Sequence, residues 1–361
     1  MKQTKICLNG MVANESNTIL RMLESCYQYI DYWVIQDNGS TDGTQDIIRN
    51  FFKEKGIDGF LYETKWEYPG FNRDHTLQEC LKSNHGCDWI LRMDADEQLR
   101  VDEDFDWSIL NDTSIDSFNI TADTGDSFYQ RTWLWNANRP WFFKHDKRHE
   151  CIALPEIDED FERYSLPMGF RHIITNDGQT WDVGNKFITD ALTLELDLVP
   201  SKKILEDDYH LFYVGKSYYD GYWKTEELPF GKEHSIEFAR RSIFYFKMFL
   251  NKIGRGESEM GYYTSLLLGR LYSFIGDEKE SVRWLQSASL YNLYRNEHLV
   301  DLAFYYQRKE DWSEMKKITS QLMLETRVNP FPTYNFFIDN QSYHNTGTLC
   351  KELHNTATNN V

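Results

Sequence analysis

Short apolar runs alternate with amphipathic stretches over the first hundred residues. The apolar runs predict four strands, at residues 6–13, 32–35, 59–62 and 89–93. Apolar positions at helical spacing predict helices between them, at residues 17–29, 44–52 and 74–81. Strands that alternate with helices in this way are typical of a mostly parallel sheet with crossover helices. We therefore predict an α/β domain at the start of the chain.

The pattern is harder to interpret between residues 105 and 200. Strands are predicted at residues 117–122 and 141–144, and the aromatic-rich stretch between them, residues 129–141, is predicted to be a loop. An acidic cluster follows at residues 156–162.

From about residue 205 the sequence predicts helices and contains a weak internal repeat, called the 34-residue echo below. Gly269-Arg270-Leu271-Tyr272 recurs 34 residues later as Ala303-Phe304-Tyr305-Tyr306, and Gly276-Asp277 recurs as Glu310-Asp311. A 34-residue helix-turn-helix period is typical of tetratricopeptide repeats, which pack into stacks that contact partners. We expect an α/β domain at residues 1–200, a helical-repeat-like region at 205–353 through which the chain could form a homo-oligomer, and a frayed polar tail at 354–361.

Composition narrows the class of protein. The 361 residues are 41% hydrophobic and carry a formal net charge of −18, which argues against nonspecific binding to nucleic acids or anionic membranes. The sequence has no uninterrupted apolar run near the ~18 residues of a membrane span, and its first residues are too polar for a secretory signal, so we expect neither. Its six cysteines form no C-x-x-C pair, so we expect neither disulfides nor structural zinc, and a cytoplasmic location.

Polar clusters follow three of the predicted strands. They are Asn14-Glu15, Asp37-Asn38-Gly39-Ser40 and Asp94-Ala95-Asp96. Ligands of open α/β sheets bind at the carboxyl ends of the strands, so the three clusters are expected to share one edge. Two carboxylates separated by one residue suit a hard divalent ion that also takes phosphate oxygens.

Three segments resemble family 2 glycosyltransferases of the GT-A fold. They are Val12-Ala13-Asn14-Glu15-Ser16, the string from Val34 to Thr44 that contains D-N-G-S-T-D-G-T, and the string from Asp88 to Glu97. The resemblance implies a Rossmann-like mixed sheet followed by an all-α, tetratricopeptide-like extension. It also implies an inverting transferase that moves a sugar from a nucleoside-diphosphate donor, with UDP favoured by family frequency.

The resemblance also implies roles for individual residues. The donor-binding set is Ala13, Glu15, Asp37, Gly39, Arg73, Asp94 and Ala95. Asp96, with Asp94, is expected to bind Mn²⁺ or Mg²⁺, and His172 is a candidate third ligand. Asp37 could instead cap its own turn, Arg73 could form a surface ion pair, and His172 could be structural.

Inversion requires a general base that deprotonates the acceptor. Glu156 matches the family's base by spacing, and Glu150 preserves the family's His-Glu pair, in His149-Glu150. A solvated acidic loop remains an alternative for both. Trp133, Trp135 and Trp141 could line a sugar pocket or simply pack in the core.

The acceptor could be a glycan, a protein or peptide side chain, or a small molecule. Two other functions remain open at this point. A nucleotidyltransferase also uses strand-end carboxylates and a divalent ion, but Asn9 to Ser16 lacks the glycine-rich basic loop of that class. The helical region could also make the chain a noncatalytic scaffold with a silent front domain.

Overall fold

The structure is a computed structural model of the whole chain. It describes residues 4–83, 85–125, 128–144, 151–155, 161–175, 177, 186–201, 208–224, 231–292, 295–328 and 346–360. The chain forms two compact units, residues 1–183 and residues 184–361.

The first unit is built on a mixed sheet. In its described part the strands are β1 Ile6–Val12, β2 Tyr32–Asp37, β3 Gly59–Glu63, β4 Trp89–Asp94, β5 Glu97–Val101, β6 Ser117–Asp123, β7 Phe128–Asn136, β8 Phe142–Lys144, β9 Cys151–Ala153, β10 Arg163–Ser165 and β11 Phe170–Ile174. Nine of them form one sheet in the order β3-β2-β1-β4-β7-β6-β11-β5, with β10 beside β6, while β8 and β9 pair separately. Strands β3, β2, β1 and β4 are parallel, and β7 is antiparallel to β4 and to β6.

Helices cover both faces of the parallel strands. They are α1 Ile19–Cys26, α2 Thr44–Lys55 and α3 Pro69–Ser83. Side chains of a strand point alternately to its two faces. Accordingly, Ile6 and Leu8 pack with α1 and α2, whereas Cys7 between them packs with Leu77 and Cys80 of α3. Because both faces are buried, these strands appear in the sequence as continuous apolar runs.

The structure corrects one predicted element of this unit. Residues 129–141 were expected to form a loop, but most of them lie in β7, which bridges the parallel strands and β6. Strand β7 carries aromatic side chains among polar ones; Leu134 packs in the core on one face and Trp135 in the core on the other, while Trp133 lies at a bulge and contacts both cores. Aromatic and polar residues therefore occur on both faces, and the simple apolar alternation of a one-sided strand is hidden.

Every regular element described in the second unit is a helix. Its helices are α4 Lys186–Ser201, α5 Asp208–Lys224, α6 Gly231–Ile253, α7 Glu259–Phe274, α8 Glu278–Ala288, α9 Glu297–Arg308, α10 Trp312–Val328 and α11 Thr346–Asn360. One core of aliphatic and aromatic side chains joins α4 to α10. A mixed sheet followed by an all-helical region is the predicted fold class, which the structure confirms.

The 34-residue echo corresponds to two equivalent turns. Gly276 and Glu310 both adopt positive φ, at 85° and 55°. The next residue in each turn is an aspartate that accepts a hydrogen bond from a backbone N–H three residues later, which caps α8 or α10. The repeated letters therefore mark the same helix–turn–helix junction in α7–α8 and α9–α10.

Two boundaries differ from the sequence-based ones. Helix α4 starts at Lys186 and buries Ala191 and Leu194 in the helical core, so the second unit begins before residue 200. The tail expected to fray from residue 354 is helical to Asn360, and Leu353 and Ala357 are buried against Met315. The polar composition of the tail concealed the anchoring side chain of Ala357.

No described helix is long and apolar enough to cross a membrane. The five cysteines whose side chains the structure describes are free thiols.

Candidate active site

The ends of three parallel strands bring the polar clusters to one edge of the sheet. Val12 pairs with Asp37 on β2, and Met11 pairs with Asp94 on β4. The last residues of β1, β2 and β4 therefore lie side by side. The residues after β1 and those after β2 also bond to each other directly, as the next contacts show.

Asp37 organises the loop that follows β2. Its carboxylate is buried and accepts hydrogen bonds from the backbone N–H of Gly39 (3.0 Å), the N–H and hydroxyl of Ser40, and the amide of Gln45 (3.0 Å). Gly39 is exposed at the tip of this loop with φ +89°, a conformation that favours glycine. Asp37 thus caps its own turn, which was the alternative to nucleotide binding.

The loop after β1 is fastened to the loop after β2. The backbone N–H of Asn14, a residue at φ +55°, donates to Ser40 Oγ at 2.7 Å, and the side-chain Oδ1 of Asn14 accepts from Thr41 N–H at 2.8 Å. The N–H of Glu15 donates to Thr44 Oγ1 at 2.9 Å. Ala13, at the start of this loop, is half-buried. The two loops form one hydrogen-bonded rim.

Asp42 strengthens that rim at the start of α2. It accepts hydrogen bonds from the N–H and hydroxyl of Thr44 and from the N–H of Ser16. Burial raises the pKa of Asp42, but these hydrogen bonds outweigh burial and lower the pKa to about 2. Asp42 therefore has a structural role: it stabilises the segment that precedes α2.

Asp94 lies between two arginines. Its Oδ1 accepts a hydrogen bond from Arg92 Nη2 at 2.8 Å, and its Oδ2 lies 3.5 Å from Arg73 Nη2. Burial raises the pKa of Asp94, but the charges of Arg73, Arg92 and Arg131 outweigh burial and lower the pKa to about 2. Asp94 is thus ionised at neutral pH. Arg73 is thus directed at the acidic turn.

Ala95 and Asp96 form the turn between β4 and β5. Ala95 is buried in the core, whereas Asp96 is half-exposed. The carbonyl of Asp96 accepts hydrogen bonds from the hydroxyl (2.7 Å) and N–H (3.3 Å) of Thr175. Arg21 forms an ion pair with Asp177 at 2.6 Å. The hydrogen bond to Asp177 raises the pKa of the Arg21 guanidinium, and the negative charge of Asp96 adds to this effect. The end of β11 therefore holds the turn in place.

A buried ionic cluster lies behind this turn. Arg131 of β7 pairs with Glu97 at 2.6 Å and donates to His172 Nδ1 at 3.1 Å. Burial raises the pKa of Glu97 to about 7 against the opposing charge of Arg131. Burial and the charge of Arg131 both hold the pKa of His172 well below its usual value, so the imidazole is neutral.

The three tryptophans have different surroundings. Trp135 and Trp141 are buried in the core, and their indole N–H groups donate to backbone carbonyls. Trp133 instead stacks under Arg131, with the guanidinium carbon 3.6 Å from the ring centroid, and lies edge-on to His172. Only Trp133 belongs to the surroundings of the acidic turn.

Two predicted residues, Glu150 and Glu156, lie outside the described residues. Among the residues that the structure does describe, no group of three or more His, Cys, Asp or Glu side chains is arranged to hold a metal ion. His172 contacts Arg131 and Glu97, and its Nδ1 already accepts a hydrogen bond.

Sequence reasoning missed Arg92, Glu97 and Arg131. Arg92 offered a signal, because a charged residue inside an apolar run is rarely buried without a partner. Arg131 offered none, since its strand was expected to be a loop.

The mixed sheet thus brings the D-x-D turn and the D-N-G-S loop to one edge, which is the arrangement that the resemblance to GT-A glycosyltransferases implied. The model of glycosyl transferase family 2 matches residues 11–106. The first unit therefore contains a family 2 glycosyltransferase domain, and this match confirms the resemblance seen in the motifs. Comparison with the curated proteins gave no match.

Solved structures give more distant likenesses. Residues 1–349 of S. aureus TarS, in complex with UDP-GlcNAc, are 11% identical over 78% of this chain and 91% of that chain, with a TM-score of 0.38. MamA is 16% identical over 50% of this chain and 90% of that chain, with a TM-score of 0.32. At these TM-scores neither likeness bears on the function of this chain.

Proposed function

We propose that this chain is a metal-dependent, inverting glycosyltransferase that takes its sugar from a UDP-sugar. The observation that carries the proposal is the acidic turn at the carboxyl edge of the sheet, where Asp94 is held ionised by Arg73 and Arg92. A fixed carboxylate beside cations suits a ligand that offers both hydroxyl groups and phosphates.

Asp94 and Arg73 would bind the donor from two sides. A carboxylate has about four lone-pair positions, so Asp94 can accept from a ribose hydroxyl while it keeps its arginines. The side chain of Arg73 is 26% exposed, which leaves it accessible to a diphosphate. Ala13, Glu15, Asp37 and Gly39 would form the base-binding rim, with Asp37 acting by fixing the loop.

Asp96 is the residue that fits a divalent ion, because it is half-exposed at the tip of the turn. Mn²⁺ or Mg²⁺ would take the Asp96 carboxylate as its protein ligand and fill its other positions with donor phosphate oxygens and water. Bound there, the ion would offset the charge that develops on the diphosphate leaving group. The contacts of His172 favour a structural role beside Arg131 over a role as metal ligand.

The assignments of the general base and of the acceptor rest on the sequence alone. Glu156 is the first choice for deprotonating the acceptor and Glu150 the second, and the acceptor is the hydroxyl of a glycan, protein or peptide. Glu156→Gln and Glu150→Gln distinguish the two, because loss of the base slows transfer while the donor still binds.

Asp96→Asn tests the site directly. We expect it to abolish sugar transfer and the metal-dependent part of UDP binding while the melting temperature of the ligand-free chain stays unchanged. Donor hydrolysis over a panel of UDP-, GDP- and dTDP-sugars, together with thermal shifts with and without Mn²⁺, measures both effects. The exposed Asp104→Asn is the matched control.

Undiminished donor turnover in Asp96→Asn would refute the role of Asp96. Indifference of the unmodified chain to every nucleotide, with and without metal, would refute the enzyme and favour the scaffold.

A further inference from the structure

The helical unit contains a cavity of about 460 Å³ that the proposed transfer site does not use. Helices α7, α8 and α9 form its walls, and Tyr222 of α5 closes one side. A volume of this size is in the range of small-molecule sites, roughly 300–1,000 Å³. It can hold a ligand the size of one or two sugar rings.

Aromatic rings supply the apolar part of the cavity. Phe274, Phe304 and Tyr305 line it together with Tyr222, whose ring centroid lies 4.8 Å from that of Phe274. Phe304 is 37% exposed although it is a large apolar side chain. Accessible ring faces of this kind pack against flat C–H surfaces, such as one face of a pyranose.

An ion pair supplies polar groups at a fixed place in the wall. Arg270 Nε lies 2.6 Å from Asp301 Oδ2, and its Nη2 lies 3.3 Å from Oδ1. Their side chains are 40% and 23% exposed, so both remain accessible. The guanidinium can still donate and the carboxylate can still accept. A sugar hydroxyl does both, so adjacent hydroxyls complement such a pair.

Arg308 gives the cavity its charge. Among the described residues its guanidinium makes no hydrogen bond or ion pair, and it lies in the lining beside Phe304 and Tyr305. Two arginines and one aspartate leave the lining with one net positive charge, in a chain whose formal net charge is −18. A cation in this acidic background favours an anionic ligand.

We propose that this cavity binds an anionic saccharide, such as a uronic acid unit, that belongs to the acceptor glycan. The sugar would pack on Phe304, its hydroxyls would meet Arg270 and Asp301, and its carboxylate would meet Arg308. An acidic peptide would satisfy Arg308 but offers no array of hydroxyls for the ion pair. The assignment to an acceptor rests on the proposed glycosyltransferase function.

Saturation-transfer NMR on the full-length chain tests the proposal with three probes: methyl β-glucuronide, methyl β-glucoside and the acidic peptide acetyl-Glu-Tyr-amide. We expect the glucuronide to bind more tightly than the glucoside and the peptide not to bind. Arg308→Gln should weaken glucuronide binding by about tenfold, the usual order for a lost charge-assisted hydrogen bond. It should bring the glucuronide to the level of the glucoside.

Two further variants separate a binding effect from a folding effect. Phe304→Ala removes an exposed ring and should weaken both sugars, whereas Arg283→Gln changes an exposed arginine of α8 outside the cavity and should change neither. Equal glucuronide binding by Arg308→Gln and Arg283→Gln would overturn the proposal, as would binding of the peptide in place of the sugars.

UDP binding with Mn²⁺ is measured on the same samples. A chain that binds UDP but not the glucuronide would overturn the cavity's assignment alone. A chain that binds the glucuronide through Arg308 but no nucleotide would support the saccharide site and refute the transferase.

Discussion

The two aspartates of the D-x-D turn have different surroundings, so we expect them to have different roles. Asp94 is held by Arg92 at 2.8 Å and by Arg73 at 3.5 Å, whereas Asp96 is half-exposed at the tip of the turn. Arg92 is 1% exposed and also donates to Asn9, so it cannot leave Asp94 without becoming an unpaired buried charge. Asp94 is therefore a fixed part of the wall, and Asp96 is the residue that we propose as the ligand of the ion.

Arg92→Met should destabilise the first unit by about 3 kcal/mol, because Asp94 loses its nearest cation in a mostly buried position. The double variant Arg92→Met/Asp94→Asn should recover a large part of this loss, since no uncompensated charge remains. Hydrogen exchange of β4 amides in the full chain measures the free energy of opening.

Arg100→Met is the matched control, because that side chain is 63% exposed and should change stability by less than about 0.5 kcal/mol. Equal stabilities of the Arg92 and Arg100 variants would contradict the role given to the buried pair.

At the scale of elements, close packing of helices depends on positions that admit no side chain. A Cβ added at Gly269 of α7 would lie 2.6 Å from the side chain of Leu285 on α8 and 3.3 Å from its backbone nitrogen. The helix backbones can approach each other at this point only because Gly269 has no side chain.

Gly269→Ala should therefore push α7 and α8 apart and cost about 1–3 kcal/mol of stability. Gly256→Ala is the control, since nothing lies within 4 Å of a Cβ there and its backbone has an ordinary φ. Thermal unfolding compares the two variants. A melting temperature for Gly269→Ala equal to that of Gly256→Ala would show that the two helices are not tightly packed.

At the scale of the whole molecule, cations are placed where anionic ligands are expected. The chain has a formal net charge of −18. Arg73, Arg92 and Arg131 nevertheless surround the acidic turn, and Arg270 and Arg308 line the cavity of the helical unit. A strongly acidic surface repels anions in general, so local cations would let the two proposed sites bind anions that the rest of the surface repels.

The stability of the molecule should also depend on pH through His298. Burial lowers the pKa of this imidazole to about 4, while the exposed reference is about 6.5. The unfolded chain therefore binds the proton first, so the stabilising contribution is complete above pH ~6.5 and is lost as the pH falls toward ~4. Tyr262 contacts the ring at 3.2 Å, and Glu297 accepts from the same tyrosine hydroxyl.

Between pH 7 and pH 5 the unmodified chain should lose about 2 kcal/mol of stability through His298, and His298→Asn should remove this loss. Hydrogen exchange of α9 amides in the full-length chain measures it. His234→Asn, at an exposed position of α6, should keep the original pH profile. A profile for His298→Asn that matches the unmodified chain would assign the acid sensitivity to other groups.

The sequence alone was sufficient for the strands β1 to β4, the helices between them and the shared edge at which Asp37 and Asp94 end their strands. Those features depend on local periodicity and on the rule that parallel strands end together, so they need no knowledge of distant contacts. The match over residues 11–106 covers the same segment. The 34-residue echo likewise follows from a local pattern, the capped turns after Gly276 and Glu310.

Tertiary structure decided everything that joins distant positions. Arg131 is 34 residues from Glu97, and His172 is 41 residues beyond Arg131, yet the three form one buried cluster because β7 and β11 return to the sheet. The cavity likewise requires Arg270 and Asp301 to meet across two helices. Residue spacing in the sequence does not predict these contacts. They depend on how whole helices and strands pack, and on which buried charges must form ion pairs.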